Sequence, residues 1–146
     1  MSKILIVDDD FEVRLLYQSK LEDAGYSVTT TSGCLNLLDQ IEHVRPDLIL
    51  LEIRFGKING LDILQEIRAR YYDMPVILCS AYSSFRYDMR VIAADYYVIK
   101  SIDLSELKIK IKMAFESIME GPESFKSRLP RQHSFEPHES KSGLVS

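Results

Sequence analysis

Long apolar runs, cysteine motifs and an excess of basic charge are all missing from this chain. No stretch approaches the ~20 apolar residues that a membrane span needs. The first apolar run, Ile4 to Val7, meets three aspartates at once and is too short for the core of a signal peptide. A cytoplasmic protein without membrane contact is therefore expected. The two cysteines, Cys34 and Cys79, form no motif and read as free thiols in a reducing compartment. Net charge is −4 over 146 residues. Residues 121–146 carry four basic and three acidic side chains, which leaves residues 1–120 at −5. That balance gives no electrostatic footprint for nucleic acid, and this chain is not expected to bind it. Glycine is sparse where a flavin or nucleotide carrier would need it. No glycine-rich or Ser/Thr-rich loop follows the first apolar run, and Asp8 and Asp9 would repel phosphates unless a metal intervened.

What is present is an ordinary soluble composition, 46% apolar and 27% charged, in a chain of single-domain length. Four short apolar runs each end on a polar residue suited to an active site. Ile4-Leu5-Ile6-Val7 runs into Asp8-Asp9-Asp10, and Leu48-Ile49-Leu50-Leu51 into Glu52. Val76-Ile77-Leu78-Cys79 runs into Ser80, and Tyr96-Tyr97-Val98-Ile99 into Lys100. Runs of this kind, rich in β-branched and aromatic residues, read as strands buried on both faces of a parallel sheet. In such sheets ligands sit beyond the carboxyl ends of the strands, so these polar residues are expected to share one pocket.

Helical stripes alternate with the strands. Val13, Leu16, Tyr17, Leu21 and Ala24 precede a stop at Gly25, and Tyr26, Val28 and Thr30 then alternate as an edge strand would. Leu35, Leu38 and Ile41 predict a second helix ending before Arg45-Pro46. Asn59-Gly60 predicts a turn, followed by a stripe at Leu61, Leu64, Ile67 and Tyr71. A fourth, weaker helix is expected within residues 84–93. The last follows Ser101-Ile102-Asp103, with Leu104, Leu107, Ile111, Ala114 and Ile118 in register. The pattern is α/β: a flavodoxin-like (βα)5 doubly wound parallel sheet of strand order 2-1-3-4-5, with Asp8, Asp9 and Glu52 at the switch point. Residues 1–120 form the predicted domain. Residues 121–146, with six serines and three prolines, are expected to be a disordered tail in which Phe125, Leu129 and Phe135 are scattered.

Adjacent carboxylates at a strand end repel unless a cation holds them, and hard oxygen ligands suit weakly held Mg²⁺. The simpler reading is that three aspartates start a helix, which suits Asp10 best. Aspartate-nucleophile phosphatases also place carboxylates here over Mg²⁺. Their Asp-x-Asp-x-Thr spacing would need a threonine at Glu12, so an enzyme is not expected.

The run Lys3-Ile4-Leu5-Ile6-Val7-Asp8-Asp9-Asp10 resembles the opening of a response-regulator receiver domain of two-component signalling. The resemblance continues in Arg45-Pro46-Asp47-Leu48-Ile49-Leu50-Leu51, Asn59-Gly60-Leu61, Ser80-Ala81 and Tyr96-Tyr97-Val98-Ile99-Lys100, and it covers residues 1–120. A receiver domain is itself a standard example of this strand order, so the order adds nothing independent to the likeness. The resemblance implies a stand-alone phosphorelay module that works by contact with a sensor histidine kinase or a downstream signalling protein. It also implies an acidic pair on Mg²⁺, a phosphoacceptor ending strand three, a hydroxyl and a lysine for the phosphoryl oxygens, and a switch aromatic on strand five. Carried across, these are Asp8 and Asp9, position 52, Ser80, Lys100 and Tyr97, with the carbonyl of Arg54 as a further metal ligand. Partner recognition or homodimer formation is expected on the face of the fourth helix, fifth strand and fifth helix. Phe85, Tyr87 and Met89 supply apolar groups there.

Three positions depart from the family. Its phosphoacceptor aspartate is Glu52, its Met-Pro-Gly turn reads Phe55-Gly56-Lys57, and its Lys-Pro reads Lys100-Ser101. A cis bond before serine costs about 2.5–4 kcal/mol, so the bond after Lys100 is expected to be trans. The extra methylene of Glu52 moves its carboxylate ~1.5 Å further into the pocket, within reach of a salt bridge to Lys100. These departures predict an atypical or phosphorylation-independent regulator. The alternatives are a phosphoacceptor that uses Glu52 or another route, and a Mg²⁺-dependent phosphatase-like enzyme.

Overall fold

Apolar character on both sides of a strand requires cover on both faces of its sheet. The strands that meet this requirement, with their neighbours, are Lys3–Val7 (β1), Ser27–Thr31 (β2), Leu48–Leu51 (β3), Arg54–Phe55 (β4), Ile58–Asn59 (β5), Val76–Ser80 (β6) and Tyr96–Ile99 (β7). The helices are Phe11–Asp23 (α1), Leu37–Val44 (α2), Gly60–Arg70 (α3) and Ser105–Met119 (α4). The computed structural model describes residues 1–33 and 36–119. Cys34, Leu35 and the expected tail with Phe125, Leu129 and Phe135 lie outside the described residues.

The main sheet runs β2-β1-β3-β6-β7 with every neighbouring pair parallel. For its five strands this is the expected order 2-1-3-4-5. β4 and β5 form a separate antiparallel ribbon between β3 and α3.

Period-two alternation divides the interior. Leu5, Val7, Ile49, Leu51, Val76 and Leu78 face α2 and α3, where Leu37, Ile41, Leu61, Leu64 and Ile67 meet them. Ile4, Ile6, Leu48, Leu50, Ile77, Cys79 and Val98 face the other way, against Tyr17 and Leu21 of α1 and Leu104, Leu107, Ile111 and Ala114 of α4. Of the expected α1 stripe, Val13 and Leu16 pack partly buried, while Ala24 is exposed because it is the C-cap.

Local chemistry sets the helix ends. Asp10 is the N-cap of α1, its carboxylate accepting from the amides of Glu12 and Val13 at 2.9 and 3.2 Å. At the other end Gly25 has φ +101°, and the amides of Gly25 and Tyr26 donate to the carbonyls of Glu22 and Leu21. This is the Schellman pattern, which needs a left-handed residue after the cap. Asn59 caps α3 by accepting from the Leu61 amide at 2.8 Å, so Asn59-Gly60 starts a helix as well as ending a hairpin.

Two features differ from expectation. The fourth helix is replaced by two 3₁₀ turns, Ser84–Tyr87 and Met89–Ala93. Asp88 between them is extended (ψ 128°), and its side chain caps the second turn through the Arg90 amide at 2.9 Å. Serine and aspartate here offer the backbone local partners that compete with a continuous helix. The second difference is the β4–β5 ribbon itself. Its two-residue connection Gly56-Lys57 has positive φ at Gly56 alone, +60°, the pattern of a type II′ hairpin turn. Phe55, fully buried, anchors the ribbon to the α2–α3 side of the core.

Candidate functional site

Parallel pairing brings the carboxyl ends of β1, β3, β6 and β7 into one row, and with them Asp8, Glu52, Ser80 and Lys100. Each end is held by its neighbour in the sheet. The Glu52 amide donates to the Val7 carbonyl at 3.0 Å, and the Lys100 amide to the Ser80 carbonyl at 2.8 Å. Asp8, Glu52 and Ser80 are among the few buried polar residues described.

The Lys100 ammonium holds this row together. It pairs with Asp8 Oδ2 at 2.6 Å and with Glu52 Oε1 in a still closer contact. Burial alone would lower its pKa. Hydrogen bonds to Asp8 and then Glu52, with the charges of both carboxylates, outweigh that and raise it above the ordinary lysine range. The remaining carboxylate oxygens are also engaged. Asp8 Oδ1 accepts from the Asp10 amide at 2.9 Å, and Glu52 Oε2 accepts from the amides of Ile53 and Arg54 at 2.7 and 3.2 Å. Arg14 donates to the Asp8 carbonyl at 2.7 Å.

Asp9 stands apart. It is exposed, and its Oδ2 accepts from the Gly56 amide at 2.7 Å, which ties the β1–α1 loop to the tip of the ribbon. Among the described residues no three Asp, Glu, His or Cys side chains converge as a metal site. The expected ligand set is Asp8, Asp9, Glu52 and the carbonyl of Arg54. The longer Glu52 side chain is drawn to Lys100, and the Asp8–Asp9 pair is left without a third carboxylate. Two carboxylates and a carbonyl still match the hard-oxygen chemistry of Mg²⁺, which keeps much of its water.

Ser80 and Tyr97 meet in the loop after β6. Ser80 Oγ accepts from the Tyr82 amide at 3.1 Å, and the Tyr97 hydroxyl donates to the Tyr82 carbonyl. Burial pushes the Tyr97 hydroxyl pKa up. Two cations cover aromatic rings nearby, Arg54 over Phe85 at 5.3 Å and Arg86 over Tyr97 at 5.5 Å. Phe85 thus packs inward, whereas Tyr87 and Met89 are 86% and 80% exposed. The Lys100–Ser101 peptide is trans, as expected.

Sequence reading missed two residues that shape this site. A Cβ on Gly60 would lie 2.2 Å from the Glu52 carbonyl oxygen, so α3 can begin against the end of β3 only with glycine there. The Asn59-Gly60 pair was the visible signal, but a turn explains it equally well. Tyr17 reaches from α1 to the backbone beyond Lys100, and as one member of an apolar stripe it gave no signal.

The response regulator receiver domain family matches residues 4–112. The response regulator MprA of Mycobacterium sp. (strain KMS) is 31% identical over 126 residues, 84% of this chain and 55% of that protein. The chain spans about half the length of the curated relatives it matches. Among solved structures, it is similar to the response regulator protein TrrA of Thermotoga maritima in complex with Mg²⁺ and BeF. Identity there is 38% and the TM-score 0.75, over 78% of this chain and 99% of that one. It is also similar to a chain of the complex between the histidine kinase ThkA and TrrA, at 38% identity and TM-score 0.73, over 78% of this chain and 98% of that one.

Proposed function

This chain belongs to the response regulator receiver domain family, and from that premise we propose that it is an atypical receiver whose output is set without phosphorylation at position 52. It acts by protein contact and not as an enzyme. The observation that carries this reading is the Lys100 ammonium held by Asp8 and Glu52 together. A lysine engaged by two carboxylates is not available to the oxygens of an incoming phosphoryl group. Glu52 is also misplaced as a nucleophile by its extra methylene, and a displacement of ~1 Å costs about 100-fold in a transfer that depends on alignment. One carboxylate charge stands where a phosphorylated aspartate would bring nearly two, so Glu52 is a partial and permanent substitute.

Asp8, Asp9 and the Arg54 carbonyl would hold Mg²⁺ weakly, and a bound ion would offset the charge of the acidic pair. The surface of the 3₁₀ turns, β7 and α4 is the proposed contact face for a sensor histidine kinase, a downstream signalling protein or a second copy. The exposed Tyr87 and Met89 support it. Residues 1–120 act as one unit with residues 121–146 as an appended tail, in the cytoplasm and without nucleic acid. No helix among the described residues is long and apolar enough to cross a membrane.

Mass spectrometry after incubation with a small-molecule phosphodonor and Mg²⁺ tests the reading. The parent should gain no phosphate, and Glu52→Asp should gain one. A stoichiometric, hydroxylamine-labile phosphate on Glu52 of the parent would overturn it. If Glu52→Asp also stays unlabelled, Ser101 and the altered Phe55-Gly56-Lys57 turn have disabled the pocket, and Glu52 follows from lost chemistry.

A further inference from the structure

Ser101 brings to the position after Lys100 a backbone N–H that a proline would lack. One hydroxyl is its partner. The Ser101 amide donates to the Tyr17 hydroxyl at 3.3 Å, and the same hydroxyl donates to the Ser101 carbonyl at 3.3 Å. Both bonds span 84 residues of sequence and join α1 to the loop between β7 and α4. A tyrosine can serve both groups only while it is neutral. Burial, reinforced by the neighbouring Cys79 thiol, pushes its pKa up to about 12. The ring is nearly inaccessible and sits in the core cluster with Val98, Leu104 and Leu107, which fixes where the hydroxyl points.

The rest of Ser101 is also fixed. Its Oγ accepts from the Asp103 amide at 3.1 Å, and Asp103 in turn accepts from the amide and hydroxyl of Ser105 at the start of α4. On the other side of Lys100, its own amide is bonded to Ser80. The backbone that carries Lys100 is therefore held at both ends, once by the sheet and once by Tyr17.

We propose that Tyr17 is a positioning residue for Lys100: by gripping both backbone groups of Ser101, its hydroxyl fixes the direction in which Lys100 leaves β7 and so keeps the ammonium on Asp8 and Glu52. This holds whether or not position 52 is ever phosphorylated, because it concerns the ion pairs and not their use. The hydroxyl does for the backbone after Lys100 what ring closure does in a proline, restricting it without contact to the ammonium.

Tyr17→Phe removes the hydroxyl and keeps the ring. Solvent exchange of the Lys100 ammonium protons, followed by nitrogen-detected NMR, and exchange of the Ser101 amide should both quicken about fivefold or more, the worth of one net hydrogen bond. Exchange at Ile6 and Leu50 should not change, which separates positioning from general loosening. Coupling is reciprocal, so Lys100→Met, with Tyr17 intact, should quicken exchange of the Ser101 amide as well. Unchanged ammonium exchange in Tyr17→Phe overturns the proposal, even if the Ser101 amide quickens. If Tyr17→Phe loses the fold, the Lys100→Met result decides alone, and an unchanged Ser101 amide there overturns it.

Discussion

At the scale of single residues, the site is governed by how closely groups approach. Gly60 shows this for backbone. With the Glu52 carbonyl only 2.2 Å from where its Cβ would stand, and Ile53 atoms at 3.0 Å, Gly60→Ala must displace the segment that carries Glu52. Overpacking of this kind typically costs about 1–3 kcal/mol. Alanine otherwise favours a helix over glycine by up to about 1 kcal/mol, so the measured loss will understate the clash. Urea denaturation should show the loss, and unchanged stability would mean that the end of β3 yields freely. The strand-end residues Asp8, Glu52, Ser80 and Lys100 were legible in the sequence because each follows an apolar run whose direction and neighbours the topology dictates. Gly60 and Tyr17 were not. Their roles depend on distances between segments remote in sequence or on backbone approach, and neither leaves a pattern in residue type.

Among elements, the Arg68 side chain ties α3 to the segment before β7. Arg68 donates to the carbonyls of Ala93, Tyr72 and Met74 at 2.9, 2.8 and 2.6 Å and faces the buried Asp95 at 3.6 Å. Asp95 in turn accepts from the Val76 amide at 2.8 Å, so the cluster also fixes the start of β6. Arg68→Met takes the cation from a buried carboxylate, a change that costs about 3–5 kcal/mol in comparable cases. The loss should appear in chemical denaturation, with faster hydrogen exchange concentrated in residues 72–76 and 89–95. A cost below about 1 kcal/mol would reduce Arg68 to a surface contact. The long elements were readable because periods of two and 3.6 persist along them. The short ones were not. Residues 84–93 carry too little period to separate an α-helix from two 3₁₀ turns split at Asp88, and a ribbon of two-residue strands lies below any periodic signal.

At the scale of the whole molecule, three groups buried on one side of the sheet or at its edge give an alkaline pH response. Burial pushes the Cys79 thiol from its ordinary 9.0 up to about 12 and Tyr17 from 10.0 up to about 12, and the Lys100 ion pairs raise its ammonium above 10.5. In each case the folded protein keeps a proton that the unfolded chain has already released. Stability from these groups is therefore fully present below their ordinary values and is lost as pH rises through the folded ones. Stability should fall progressively above about pH 9, starting with Cys79. Denaturation midpoints from about pH 8 to 11 check this, and Cys79→Ala should delay the onset toward about pH 10. A parent profile that is level to about pH 11 would contradict these buried environments. The sheet's order has another outcome, in the sequence of synthesis. β1 is made first yet lies inside the sheet, paired with β2 on one edge and with β3, 41 residues after Val7 at its start, on the other. Until Leu48–Leu51 emerges from the ribosome, the most apolar strand of the nascent chain has one row of amides and carbonyls open to any passing strand. A strand whose apolar residues Ile4 to Val7 are all buried in the finished protein is thus open to wrong pairing while it is being built.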